Sequence, residues 1–249
     1  FRGAVLLQPL AAGLVLLSFF LAPGTPGGLL AVPWLVLCLV VALTGLFRLF
    51  LGGIARLEEV AIDVGLLFLP VGAGWLLLSR LGTSPLGFVE PIVMLTAVHF
   101  HFTAFVAPLL AAMAGRIVKR RGPYRISVLG LLLGTPTLAI GWTLHSPALK
   151  LAAVALLSIS LTLLALLALP RLGAIRDPRA EGLLGLSFLS LLAGMALAFA
   201  YGLGEFRATG GIAIPDMALA HGLANGLGFS LCGLLGWNLE IGADNPGVS

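Results

Sequence analysis

The sequence predicts an all-α fold, a polytopic membrane helix bundle of about eight transmembrane helices forming one domain over residues 1–249. Three observations predict it. Hydrophobic residues make up 59% of the 249 positions and charged residues only 10%, against roughly a quarter charged in ordinary soluble chains. Mean hydropathy is +1.12. The apolar residues also fall in runs of about 20, the length that crosses a ~30 Å hydrocarbon core at 1.5 Å per residue. The 33 glycines and 15 prolines sit among Leu, Ala and Val rather than polar residues, and helices in lipid tolerate both. Disorder, collagen, a secreted disulfide scaffold and a nucleic-acid partner are therefore excluded.

The first run, 5–21, follows Arg2 and lacks a small-residue cleavage pattern, so it reads as a helix rather than a leader. Arg48 and Arg56 divide the second run, 29–47, from the third, 60–78. Arg80 and a short Gly/Ser/Pro stretch precede the fourth, 88–113. The basic segment RIVKRRGPYR, 116–125, introduces the fifth, 126–144, and the sixth follows at 149–169. Arg171, Arg176 and Arg179 precede the seventh, 183–203, and Arg207 precedes the eighth, 212–237.

Placing both termini in the cytoplasm puts 11 of the 14 Lys and Arg residues on that side and 3 (Arg80, Lys150 and Arg207) on the other. Basic residues collect on cytoplasmic loops, so this orientation is preferred, with 116–125 as a topology anchor. The expected location is the bacterial cytoplasmic membrane, as a multi-pass protein whose surroundings are the lipid bilayer. Cys38 and Cys232 lie inside apolar runs and read as small buried thiols. Trp75, Trp142 and Trp237 sit at run ends, where aromatic belts form. Gly222 and Gly226 form a small-x-x-x-small pair suited to close helix packing. No phosphate-binding G-x-x-x-x-G-K-[ST] loop is present, which argues against ATP-driven work.

Ionisable groups at membrane depth are expensive and by default functional, and two helices carry most of them. The fourth run holds Glu90, His99, His101 and Thr103; the eighth holds Asp216, His221 and Asn225. Glu90 to His99 and Asp216 to Asn225 are each nine residues, about 13.5 Å of rise, so the two ladders match in depth. His221 and Asn225, four apart, share a helix face, whereas the two histidines of H-x-H do not. That spacing is a weak metal signal, because helical metal sites use H-x-x-x-H, and no metal or other cofactor is expected. Pro91 and Pro108 bracket the fourth-run histidines, and Pro136 interrupts the fifth run between Thr135 and Thr137. Tyr201, Glu205 and His145 fall at the ends of their runs, where they would rim a pocket, while Asp63 belongs to neither ladder.

The stretches HFHFTAF, 99–105, and HGLANGLGF, 221–229, resemble the two signature stretches of the YndJ-like bacterial membrane proteins. The resemblance covers less than a quarter of the chain. It implies a multi-pass membrane protein and singles out His99, His101, His221 and Asn225, without implying a reaction.

The residues point first to a membrane-embedded, cofactor-independent enzyme working by acid and base catalysis on a lipophilic small-molecule substrate, most concretely a terpenoid or epoxide-polyene cyclase or isomerase. A carboxyl group out of water holds its proton and can protonate an epoxide or alkene. That role falls to Glu90 or Asp216, with His99, His101 and His221 as base or relay and Asn225 as orienting group. Phe102, Thr103, Tyr201 and Phe229 are the substrate-binding candidates, and Phe88, Phe100 and Phe105 would join them in stabilising a cation through their ring faces. Three other readings follow in order: a proton-coupled transporter, a His-liganded metal or haem protein, and a purely structural role.

Overall fold

In the computed structural model, residues 2–209 and 211–244 are described, and among them the regular structure is entirely helical. Eight rods follow one another: α1 (Arg2–Ser18), α2 (Thr25–Gly52), α3 (Leu57–Arg80), α4 (Ile92–Ala114), α5 (Arg121–Thr143), α6 (Pro147–Ala174), α7 (Pro178–Arg207) and α8 (Ile214–Ala243). Seven of them, α2 to α8, are long and apolar enough to cross a membrane. The protein is thus an all-α, multi-pass membrane bundle. Of the 1–249 range assigned to one domain, residues 1, 210 and 245–249 lie outside the described positions.

The helices reach beyond the apolar runs, because charged residues at a helix end still make the backbone bonds. Asp177 caps α7 by accepting from Arg179 N at 2.8 Å, with Pro178 as the first helical residue, a pairing suited to helix starts. Ser146 does the same for α6 through Leu149 N at 3.3 Å, again followed by proline. The first rod has the length of the expected run but lies three residues earlier in the chain. It ends at Ser18, and Phe19 to Leu21 leave it through a tight turn.

Two compact units divide within α4, Phe1–Leu109 and Leu110–Ser249. In the first, α2 and α3 pack along their length, and a methyl group at Gly45 would stand 2.8 Å from Asp63 O, so only glycine fits that crossing. Cys38, Leu69 and Ala73 form a buried cluster with Trp34 and Phe105 against it. Two charged residues of this unit are buried. Arg80, assigned by sequence to an outer loop, is 6% exposed. Its Nη2 donates to Ser18 O at 2.8 Å and Leu21 O at 2.7 Å, and the guanidinium lies 4.9 Å from the Phe19 ring centre. A cation thereby serves carbonyls at and just beyond the end of α1. Asp63 is 2% exposed and accepts from Arg48 Nε at 2.5 Å, while Arg48 Nη2 reaches Glu59 at 2.8 Å.

In the second unit, α5 to α8 alternate in direction through short connections. Ser127 Oγ donates to Ser160 O at 2.6 Å between α5 and α6. Lys150 pairs with Glu205 at one end of the unit and lies 4.5 Å from the Trp142 ring centre, so Glu205 is a salt-bridge partner and not an open rim group. At the other end the carboxylate of Glu240 accepts from Arg176 N at 3.0 Å and from Asp177 N at 3.2 Å, and the end of α8 is thereby clasped to the start of α7. Trp237 is 6% exposed and packs inside instead of joining an interfacial belt. Pro136 leaves α5 continuous, and the hydroxyls beside it, Thr135 and Thr137, bond back to Leu131 O at 3.2 Å and Leu133 O at 2.7 Å.

Gly222 does not mediate packing: a methyl group there would meet nothing within 4 Å. The close approach of α8 to α7 uses Gly228, Gly233 and Gly236, which face Ser190, Ser187 and Leu184. Small residues of this kind let helix backbones approach in lipid.

Candidate functional site

Both histidine-bearing helices lose α-geometry just after their histidines. In α4, Phe102–Val106 is π-helical, and Ala107 N reaches back five residues to Phe102 O. In α8, Ala224–Leu231 is π-helical, and Cys232 N reaches Leu227 O. Such wide turns release backbone groups and recur at functional sites. Ser187 Oγ adds a side-chain bond to the second of these turns, donating to Phe229 O at 2.7 Å.

In the first unit, His101 is fully committed. The indole N–H of Trp34 can only donate, and it reaches His101 Nε2 at 3.0 Å. That nitrogen is therefore the acceptor, so Nδ1 carries the hydrogen and donates to Ala97 O at 2.8 Å. The Trp34 and His101 rings stack with centres 6.0 Å apart. Gly72 makes room for them, since a methyl group there would stand 2.7 Å from His101 Nδ1. His99 is half-buried one turn before the π segment, and Phe102 and Thr103 are half-buried within it. Phe100 is buried against Phe68, and Phe88 packs on Trp75. Glu90 precedes α4 instead of lying within it, and it is exposed. Its Oε1 accepts from Ser79 Oγ at 2.5 Å and its Oε2 from Met94 N at 3.2 Å. That places a carboxylate on the first turn of the helix, where the backbone N–H groups favour negative charge.

In the second unit, His221 is held by one nitrogen only. Its Nδ1 lies 3.0 Å from Gly194 O on α7. A carbonyl can only accept, so Nδ1 carries the hydrogen and donates there. The amide nitrogen of Asn225, 3.2 Å from the same Nδ1, directs its hydrogen to His221 O at 2.9 Å. Nε2 makes no hydrogen bond among the described residues and keeps its lone pair. This is the orientation that a carbonyl on one imidazole nitrogen imposes on a base or a ligand at the other. His221 is half-buried, and its chain neighbours Ala220 and Gly222 are exposed. Phe229 is 3% exposed, and Tyr201 is half-buried near the end of α7. Asp216 is exposed in the first turn of α8, five residues before His221.

The expected pair His221 and Asn225 is therefore brought together, through a bond to the backbone carbonyl and not to the ring. Sequence reasoning missed Trp34 and Gly194, the partners that distinguish the two histidines. Trp34 is 67 residues from His101 and Gly194 is 27 from His221, and neither separation leaves a local signal. No group of three or more His, Cys, Asp or Glu able to hold a metal occurs among the described residues.

Two chemical consequences follow. Diethyl pyrocarbonate, which acylates an imidazole nitrogen bearing a free lone pair, should label His221 at least ~10-fold faster than His101, read by peptide mass spectrometry. Trp34→Phe should expose His101 Nε2 and bring its labelling rate up; equal rates in the unsubstituted protein would contradict the assignment. Separately, a methyl group at Gly194 would stand 2.8 Å from Asn225 Cγ and Oδ1. Gly194→Ala is expected to turn that amide away from His221 O, costing about 1 kcal/mol and lowering the unfolding midpoint by ~2–4 °C.

A family model described as YndJ-like protein matches residues 1–229. Over 240 residues, 96% of its length, the chain is 30% identical to a protein of Bacillus subtilis (strain 168) described as "Uncharacterized membrane protein YndJ". The chain spans 43% of the length of that relative. No solved structure matches it.

Proposed function

The chain belongs to the YndJ-like protein family, and we propose that it is a membrane-embedded enzyme that moves a proton on a lipophilic substrate, with His221 as its base. The observation that carries the proposal is the one-sided anchoring of His221, with Nδ1–H on Gly194 O at 3.0 Å and Nε2 unbonded among the described residues. A neutral imidazole fixed in one tautomer is ready to accept a proton at Nε2, and its Nδ1–H stays on the carbonyl as charge develops. Asn225 braces the first wide turn by tying its amide to His221 O.

Leu219, Leu223 and Leu227 around this histidine are 63%, 50% and 57% exposed. A hydrocarbon substrate would therefore arrive sideways from the bilayer. Asp216, exposed at the start of the same helix, is assigned as the acid. Glu90 is assigned the capping role described above, because both of its oxygens are engaged. Protonation of an alkene or epoxide by a carboxyl group, followed by loss of a carbon-bound proton to His221, turns a polyene into its isomer or a cyclised product of equal mass. The setting is the bacterial cytoplasmic membrane, and the chemistry needs no cofactor.

The test is incubation of the protein in proteoliposomes with bacterial lipid extract. A compound should change its chromatographic retention at unchanged mass, without a proton gradient or added metal. Solute uptake that collapses with an uncoupler would instead establish a carrier. That second reading draws on Asp63, a carboxyl group buried among apolar helices and paired with the exposed Arg48.

A further inference from the structure

The two ends of the second unit differ sharply in charge. One end gathers Arg116, Lys119, Arg120, Arg121, Arg125, Arg171, Arg176 and Arg179, eight cations, against three acids among the described side chains, Asp177, Glu181 and Glu240. Two of those acids are taken up by backbone, Asp177 by Arg179 N and Glu240 by Arg176 N and Asp177 N. At the opposite end Lys150 and Arg207 face Glu205 and Asp216, two against two, and Lys150 is paired with Glu205.

Two donors at the basic end lack an acceptor among the described residues. Arg171 Nε is buried without a hydrogen bond, and so is Nε1 of Trp237, a side chain only 6% exposed. Trp237 lies one helical turn before Glu240, the residue that grips the backbone of Arg176 and Asp177. Arg171 precedes Arg176 by five residues on the segment that ends α6. A buried indole N–H and guanidinium N–H are costly unless an acceptor meets them. A guanidinium matches the oxygens of a phosphate, and clustered basic residues beside membrane helices select anionic headgroups.

We infer that this end of the second unit is a binding surface for anionic glycerophospholipid headgroups, with Arg171 and Trp237 as the donors that receive the phosphate and the exposed arginines and lysine around them supplying the field. The inference is independent of the chemistry assigned to His221. It goes beyond topology anchoring, which needs the charges but not two inward donors.

The test uses protein purified in mild detergent and exposed to equimolar phosphatidylglycerol and phosphatidylcholine, with retained lipids counted by native mass spectrometry. Phosphatidylglycerol should be retained at least ~5-fold in preference. Arg171→Gln and Trp237→Phe should each reduce that preference by at least half, while Arg171→Lys keeps most of it. Arg207→Gln, at the other end, should leave it unchanged. Comparable retention of the two lipids would overturn the inference. So would an undiminished preference in correctly folded Arg171→Gln, checked by gel filtration and circular dichroism. Displacement of phosphatidylglycerol by millimolar inorganic phosphate would also overturn it, in favour of a site for a soluble anion.

Discussion

Replacing His221 by asparagine should reduce turnover of the lipophilic substrate by at least ~100-fold, the usual contribution of a positioned general base, while leaving the protein folded. The choice of asparagine follows from the geometry. Its amide nitrogen occupies about the place of Nδ1, so the bond to Gly194 O, 3.0 Å long in the native protein, can persist. The lone pair at Nε2 cannot. The measurement is the rate at which the equal-mass product appears in proteoliposomes carrying either protein, with unfolding midpoints compared alongside. A variant that keeps its midpoint and its full rate would remove His221 from the chemistry. The same substitution at His101 should behave differently, because there the lost nitrogen is the one that accepts from Trp34. His101→Asn is expected to lower stability more than it lowers rate.

The largest effect on stability is expected at Glu240. This carboxylate is 9% exposed, and both of its oxygens receive backbone hydrogens from Arg176 and Asp177, at 3.0 to 3.2 Å. Glu240→Ala strands two N–H groups at the start of α7 and withdraws a negative charge from that end of the helix. Each unmet buried donor costs about 1–3 kcal/mol, and the charge at the helix start adds up to about 1 kcal/mol. A loss of about 3 kcal/mol is expected, or ~6–12 °C in the unfolding midpoint for a chain of this size. Glu240→Gln retains one acceptor and should recover roughly half. Heating the purified protein and following its helical signal decides it; an unchanged midpoint in the alanine variant would show that water replaces the carboxylate at no cost.

Most of the architecture was legible because lipid imposes a simple rule. A segment must be apolar for about 20 residues to cross, and each of the eight runs became a helix. The ends were less legible. Helix α2 extends to Gly52 and α7 begins at Pro178, since caps and charges extend a rod beyond its greasy part. His221 and Asn225 were legible as a pair because four residues make one turn, and the structure joins them. Trp34, Gly194 and the clasp between Glu240 and Arg176 were not, because each joins residues far apart in the chain. Arg80 and Trp237 were misread for a related reason. Their positions at run ends suggested the surface, yet Arg80 found carbonyls to satisfy and Trp237 found packing. The π segments left no recognisable periodicity, and they turn the residues that follow His101 and His221 off the regular helical face.

The guanidinium that closes the first rod also dictates a timetable. Arg80 follows Ser18 by 62 residues, so at roughly 5–20 residues per second of translation the first helix waits about 3–12 s for its final contact. During that interval its last carbonyls must be served by water or headgroups. This rod is thus made well before it is secured, and it is completed only when the third has emerged beside it.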